Sequence, residues 1–228
     1  MSEQIKSKER VADHGEVFTA EREVNAMLDL VKQETERIES RFLEPACGTG
    51  NFLAEVLRRK LAVVRRKYQS SRSDYEKYAV LAVSSIYGVD LLDDNVRECQ
   101  ERLFKIWQSE YHDVCKNDAL RDCEDAVRYI LQHNILCGNA LTMLRVDADG
   151  NDTEKKPIIF AQWDLMTGDL MKRRDYRFDE LMKTQEKQMD MDMWMGDWEY
   201  DDETDAWIPA PIREYAPINY WEVQHGEY

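Results

Sequence analysis

The stretch Phe42-Leu-Glu-Pro-Ala-Cys-Gly-Thr-Gly-Asn-Phe52 constrains this chain more than any other. Apolar residues run into Glu44, a Gly-x-Gly turn follows at Gly48 and Gly50, and Leu53, Val56, Leu57, Leu61 and Val64 then recur at helical spacing. Strand, tight turn and amphipathic helix open a parallel α/β unit, because parallel strands need a long crossover that packs back on the sheet. Glycine lets the backbone approach a ligand closely, and amides at the start of the next helix favour an anion. An ordinary strand-to-helix turn would account for the glycines but not for Glu44.

The rhythm continues downstream. Thr19 is placed to cap a helix over about 20–38, Arg41–Glu44 reads as a buried strand, and a helix runs from Asn51 to Lys67. Ser70–Asp74 interrupts, and Tyr75–Ala82 predicts a second helix before the strand Ser85–Asp90. Asp93 or Asp94 can cap a helix carrying Val96, Cys99, Leu103 and Trp107; another helix spans 118–132, and His133–Cys137 is a third strand. This alternation implies a parallel sheet with crossover helices. Pro157–Trp163 predicts a fourth strand, and 168–187 reads as weakly helical. The expected division is a polar N-terminus at 1–14, a domain at 15–167, and an acidic, Met- and Trp-rich extension at 168–228.

Composition bounds the partners. No apolar run approaches the ~18 residues of a membrane span, and the polar start is no signal peptide, so a cytoplasmic protein is expected. The five cysteines show no C-x-x-C pairing, which favours free thiols and no metal site. The net charge of −15 opposes unaided binding to phosphates, although residues 179–205 alone hold 11 acidic and 2 basic side chains. Against that sign, Arg58-Arg-Lys60 and Arg65-Arg-Lys67 repeat at seven residues and make either a phosphate-facing stripe or the solvated back of a helix. The segment Met189–Trp207 is either a stacking surface for bases or a docking segment, and its acidity favours docking.

Two positions extend the opening motif. Asp90 ends the second strand, where an acid can accept both ribose hydroxyls of a nucleoside. It lies 40 residues after Gly50, against the usual interval of ~20; the extra helix at 75–82 accounts for the excess. The alternative for Asp90 is a turn or capping role. Asn139, in Cys137-Gly-Asn-Ala-Leu141, either offers its amide to an adenine edge or simply makes the turn.

Gly15-Glu-Val-Phe-Thr19, Phe42–Phe52, Gly88-Val-Asp90 and Cys137–Leu141, in that order, resemble the adenine-specific DNA methyltransferases of restriction–modification systems. The resemblance covers about 14–145. It implies a Rossmann-like class I methyltransferase sheet, or only its cofactor-binding half, and S-adenosylmethionine as cofactor. By resemblance Phe18 and Thr19 would close over the methionine end, and Glu44, Ala46, Gly48 and Gly50 would line it. Asp90 would take the ribose, Leu91 would pack on the adenine, and Asn139 would stand in for the family's aspartate.

The departure is as informative. That family places an Asn/Asp-Pro-Pro-Tyr loop after the next strand to hold a flipped base, and this chain has no Pro-Pro dipeptide. No catalytic residue is therefore assigned. The expected partners are DNA and a second subunit carrying the Pro-Pro motif. The competing readings are a methyltransferase for a small molecule or protein, and a non-catalytic cofactor-binding subunit.

Overall fold

Three short strands run parallel and side by side in a computed structural model that describes residues 19–147, 150–187, 198–201 and 206–226. They are β1 (Phe42–Glu44), β2 (Ile86–Asp90) and β3 (Ile135–Cys137), in spatial order β1-β2-β3. Register pairs Glu44 with Gly88 and Asp90 with Cys137, so the carboxyl ends of all three strands open on one edge. The first crossover holds α3 (Asn51–Tyr68) and α4 (Arg72–Ser84), and the second holds α5 (Asp93–Cys115) and α6 (Arg121–Asn134). Before them, α1 (Glu21–Leu30) and the short α2 (Lys32–Thr35) lead into β1.

Alternation along the strands sorts their side chains between two cores. Ile86 and Ile135 join the helices' core, with Leu53, Leu57, Leu61, Phe104 and Trp107. Tyr87, Val89 and Leu136 face the other way, against Ile158, Phe160 and Phe178. Each fully buried side chain of this kind contributes about 1.5–3 kcal/mol. Sandwiching leaves the loops at the strand ends as the accessible part of the sheet.

The second core is closed mainly by strands, with Phe178 added from the helix that follows them. β6 (Ile159–Leu165) and β7 (Leu170–Arg177) form an antiparallel ladder, and β10 (Arg213–Glu214) and β11 (Ile218–Asn219) pair with the far side of β7. β4 (Leu144–Val146) pairs with β5 (Asp152–Pro157), α7 covers Phe178–Lys187, and β8 (Trp198–Asp201) pairs with β9 (Ala206–Pro209). The expected fourth strand thus exists two residues late and outside the parallel sheet. The helix expected over 168–187 is a strand in its first half, because cross-strand pairing with β6 outweighs the weak local preference of Leu-Met-Lys-Arg-Arg-Asp-Tyr-Arg. Position 167/168 falls in the β6–β7 turn, and Met171, Tyr220 and Val223 pack in the main core. The N-terminal 1–14 segment and most of Met189–Asp205 lie outside the described residues.

Several helix ends differ from the sequence expectation. Helix α1 is capped by Ala20, not Thr19, and breaks at Val31 (φ −119°, ψ 32°) instead of continuing to 38. Ser71 caps α4, its hydroxyl accepting from the Asp74 N–H at 3.4 Å, so that helix begins earlier than Tyr75. Leu92 is the N-cap of α5, which puts Asp93 and Asp94 in its first turn, where carboxylates complement the helix dipole. Helix α6 begins at Arg121, after a single 3-10 turn at Lys116–Asp118.

The basic run on α3 divides. Lys60 is fully buried and donates to the Ile38 carbonyl at 2.9 Å, to the Ser40 carbonyl and to the Ser85 hydroxyl at 2.5 Å. It ties the start of β1 to the start of β2. Burial lowers its pKa to about 7, against the opposing pull of Glu39 and Glu34. Arg59 pairs with Asp29 and Glu55, and Arg65 with Glu110 and Asp113. The repeat is therefore neither a free phosphate stripe nor a wholly solvated face. No helix among the described residues is long and apolar enough to cross a membrane.

Candidate functional site

The turn after β1 is built by glycine. Gly48 has φ +51° and Gly50 φ +84°, in the left-handed region that costs other residues ~1–2 kcal/mol. The Gly50 N–H donates to the Cys47 carbonyl at 2.8 Å, and the Gly50 carbonyl accepts from Ala54 at 2.8 Å as α3 begins. Gly50 is pinned from behind as well: a Cβ there would stand 2.6 Å from the Cys99 sulfur. Cys47 and Cys99 are buried beside one another, and their contact, followed by burial, pushes the Cys47 thiol far above its ordinary pKa. These thiols are inert packing groups.

Asp90 stitches the turn to the second strand. One carboxylate oxygen accepts from the Gly48 N–H at 2.9 Å; the other accepts from the Leu92 N–H at 2.9 Å and the Asn95 side-chain amide at 3.2 Å. The Cys47 N–H reaches the Val89 carbonyl at 2.9 Å, and the Gly138 N–H reaches the Asp90 carbonyl at 2.9 Å. All three strand exits are thus joined around Asp90. A carboxylate offers about four acceptor sites, and three donors hold this one in place with capacity left for a hydroxyl.

Glu44 stands at the tip of β1, half-buried. Burial raises its pKa, and the Ala46 N–H bonded to it opposes that rise. No cationic side chain among the described residues pairs with Glu44. A carboxylate held partly out of water without a counter-ion favours a positively charged ligand group. Gly48 and Gly50 lie between the two acids in sequence, with the side-chain position of Gly50 already taken up by Cys99. The rim thus presents a carboxylate at Glu44 with no cationic partner among the described residues and spare acceptor capacity at Asp90.

Other expected residues vary in their surroundings. Ala46 is exposed beside Glu44, and Leu91 is exposed just past Asp90. The Asn139 side-chain oxygen accepts from Leu141 at 3.0 Å and Thr142 at 3.4 Å, closing its own turn, so its acceptor is already engaged locally. Thr19 is exposed, and its carbonyl accepts from the Asn51 amide at 3.3 Å, bringing the N-terminal side of α1 to the start of α3. Phe18 lies outside the described residues.

Sequence reasoning missed the support behind the turn. Asn95, Cys99 and Arg102 fall at i, i+4 and i+7 on α5, which puts them on one helix face. The Arg102 guanidinium donates to the Thr49 carbonyl at 3.1 Å and to the Asn51 side-chain oxygen. Polar residues at that spacing on an otherwise apolar stripe were the available signal.

No family model matches this sequence, and no solved structure matches it. A "putative type II restriction enzyme and methyltransferase" of Methanocaldococcus jannaschii is 33% identical over 104 residues, a match covering 44% of this chain and 8% of that protein's length. The chain therefore corresponds to a small part of a much longer relative.

Proposed function

We propose that this chain is the S-adenosylmethionine-binding half of a restriction–modification methyltransferase that acts on the exocyclic amine of adenine in DNA. The observation that carries the reading is the joining of Glu44, the Gly48–Gly50 turn and Asp90 at the aligned carboxyl ends of three parallel strands. Ligands of open α/β sheets bind at that edge, in a Rossmann-like sheet of which β1, β2 and β3 would be the cofactor half. The name of the archaeal relative supports methyl transfer as the chemistry.

The residues divide the work. Glu44 would hold the cofactor's ammonium group, the glycine turn would take its main chain, and Asp90 would receive a ribose hydroxyl at its remaining acceptor position. Leu91 would cover one face of the adenine. When bound, S-adenosylmethionine supplies an activated methyl group on a sulfonium; the protein's contribution is alignment and exclusion of water. The base-holding loop and target recognition would lie outside these residues, which have no Pro-Pro dipeptide, and we place them on a second subunit carrying that motif. That same absence favours one other reading, a methyltransferase for a small molecule or protein.

Isothermal calorimetry with S-adenosylmethionine tests the assignment. Asp90→Ala should weaken binding at least about tenfold, the value of one charged hydrogen-bond partner. Equal binding by parent and variant, or none by the parent, removes it. Methyl transfer to adenine-containing duplexes, with and without a partner subunit carrying the Pro-Pro motif, then separates DNA from peptide or metabolite substrates.

A further inference from the structure

We infer that Arg102 is a positioning residue that couples the glycine turn to Thr19, just before α1, so that one face of α5 sets the near side of the site. The inference deepens the S-adenosylmethionine reading and rests on it for its binding consequence. Three side chains on one face of α5 reach three parts of the site: Asn95 bonds Asp90, Cys99 lies under Gly50, and Arg102 holds Thr49 and Asn51. Asn51 is the junction. Its side-chain oxygen accepts from Arg102 while its amide nitrogen donates to the Thr19 carbonyl at 3.3 Å.

Polarity makes this a relay instead of two separate contacts. Flipping the Asn51 amide would turn its NH2 toward the guanidinium and its oxygen toward the Thr19 carbonyl, losing both bonds at once. The positive charge of Arg102 thus selects the orientation that holds Thr19. Arg102 is half-buried, and no carboxylate among the described residues pairs with it, although the chain has 46 acids. Its charge is directed at two neutral oxygens of the turn and the junction.

Binding follows from preorganisation. A site held in its binding arrangement only a fraction of the time binds its ligand more weakly by that fraction. Removing Arg102 keeps the glycines and Asp90 but frees the Thr49 carbonyl and the Asn51 amide, so what changes is the population in which the turn and Thr19 are held together.

Hydrogen exchange on the ligand-free full chain reads the coupling at the start of α1. In α1 the Glu23 and Val24 amides donate to the Ala20 carbonyl at 2.9 and 3.0 Å, next to the Thr19 anchor. Arg102→Met should speed their exchange about tenfold while peptides from β2 and the α5 core keep parental protection. Asn51→Ala should do the same, and the double variant should exchange no faster than the single ones. Arg102→Lys, which reaches one oxygen at a time, should fall between parent and Arg102→Met. Calorimetry with S-adenosylmethionine should show Arg102→Met binding about tenfold more weakly. Parental exchange at 23–24 in Arg102→Met, additive effects in the double variant, or unchanged affinity in a parent that binds would each overturn the relay. If the parent itself fails to bind, the cofactor reading falls, and the exchange result still decides the coupling.

Discussion

Gly50→Ala tests the geometry of the candidate site most sharply. Two costs combine at that residue. The backbone sits at φ +84°, which an alanine adopts at about 1–2 kcal/mol. The new Cβ would also stand 2.6 Å from the sulfur of Cys99, a fully buried side chain with no solvent side to retreat into. Overpacking of this kind costs about 1–3 kcal/mol. The expected loss is therefore about 2–5 kcal/mol in urea unfolding of the full chain. The two parts are separable. In Gly50→Ala/Cys99→Ala the nearest remaining atom is the residue-99 Cβ, at 3.5 Å, an ordinary contact. The clash disappears and the backbone cost stays, so the double-mutant cycle should show a favourable coupling of about 1–3 kcal/mol. Additive losses, within about 0.5 kcal/mol, would refute the argument that Cys99 supports the turn from behind.

Glu44→Gln should leave the fold as stable as the parent or slightly more so, because it removes an ionised group from a half-buried place, while weakening S-adenosylmethionine binding at least about tenfold. In the parent, affinity should fall as pH drops through the raised Glu44 pKa, since a cationic ligand prefers the ionised form; a calorimetric pH series should be flatter in the variant. Lys60→Met should cost about 2–4 kcal/mol by leaving the acceptors at Ile38, Ser40 and Ser85 without their donor. Lys60 has its pKa lowered to about 7, against roughly 10.4 unfolded, so the unfolded chain binds more protons between those values. The parent should accordingly gain stability relative to Lys60→Met as pH rises from about 7 to 10, measured by urea unfolding across pH. Asp175→Ala should cost about 3 kcal/mol, because Arg173 bonds that carboxylate at 2.7 and 3.0 Å and would stay half-buried without it; Tyr215→Phe, which loses only a hydroxyl at 3.1 Å from Asp175, should cost about 1 kcal/mol in the same assay.

Much of the site's outline was legible because its signals are local. A left-handed turn needs glycine whatever surrounds it, so Gly48 and Gly50 marked the strand exit before any fold was known. The helical stripe of Leu53, Val56, Leu57, Leu61 and Val64 is buried as its spacing required. Lys60 interrupts that stripe with a charge, and three oxygens distant in sequence explain why it can lie inward. Spacing alone could not supply those partners. Asp90 was placed at the second strand's tip by alternation, yet its bonds to Gly48 and Asn95 depend on how the crossover helices return.

By itself, then, the sequence determined the parallel strand–turn–helix unit, its glycine turn and the acids at its rim, since each follows from backbone sterics and periodicity within a few residues. Tertiary structure decided what no window of neighbours contains. It made Leu170–Arg177 a strand, because a β6 edge was there to pair with, and it folded Tyr220 and Val223 back into the main core. It also set Arg102 behind a turn 53 residues earlier in the chain, where a charge and two oxygens meet only because α5 packs against α3.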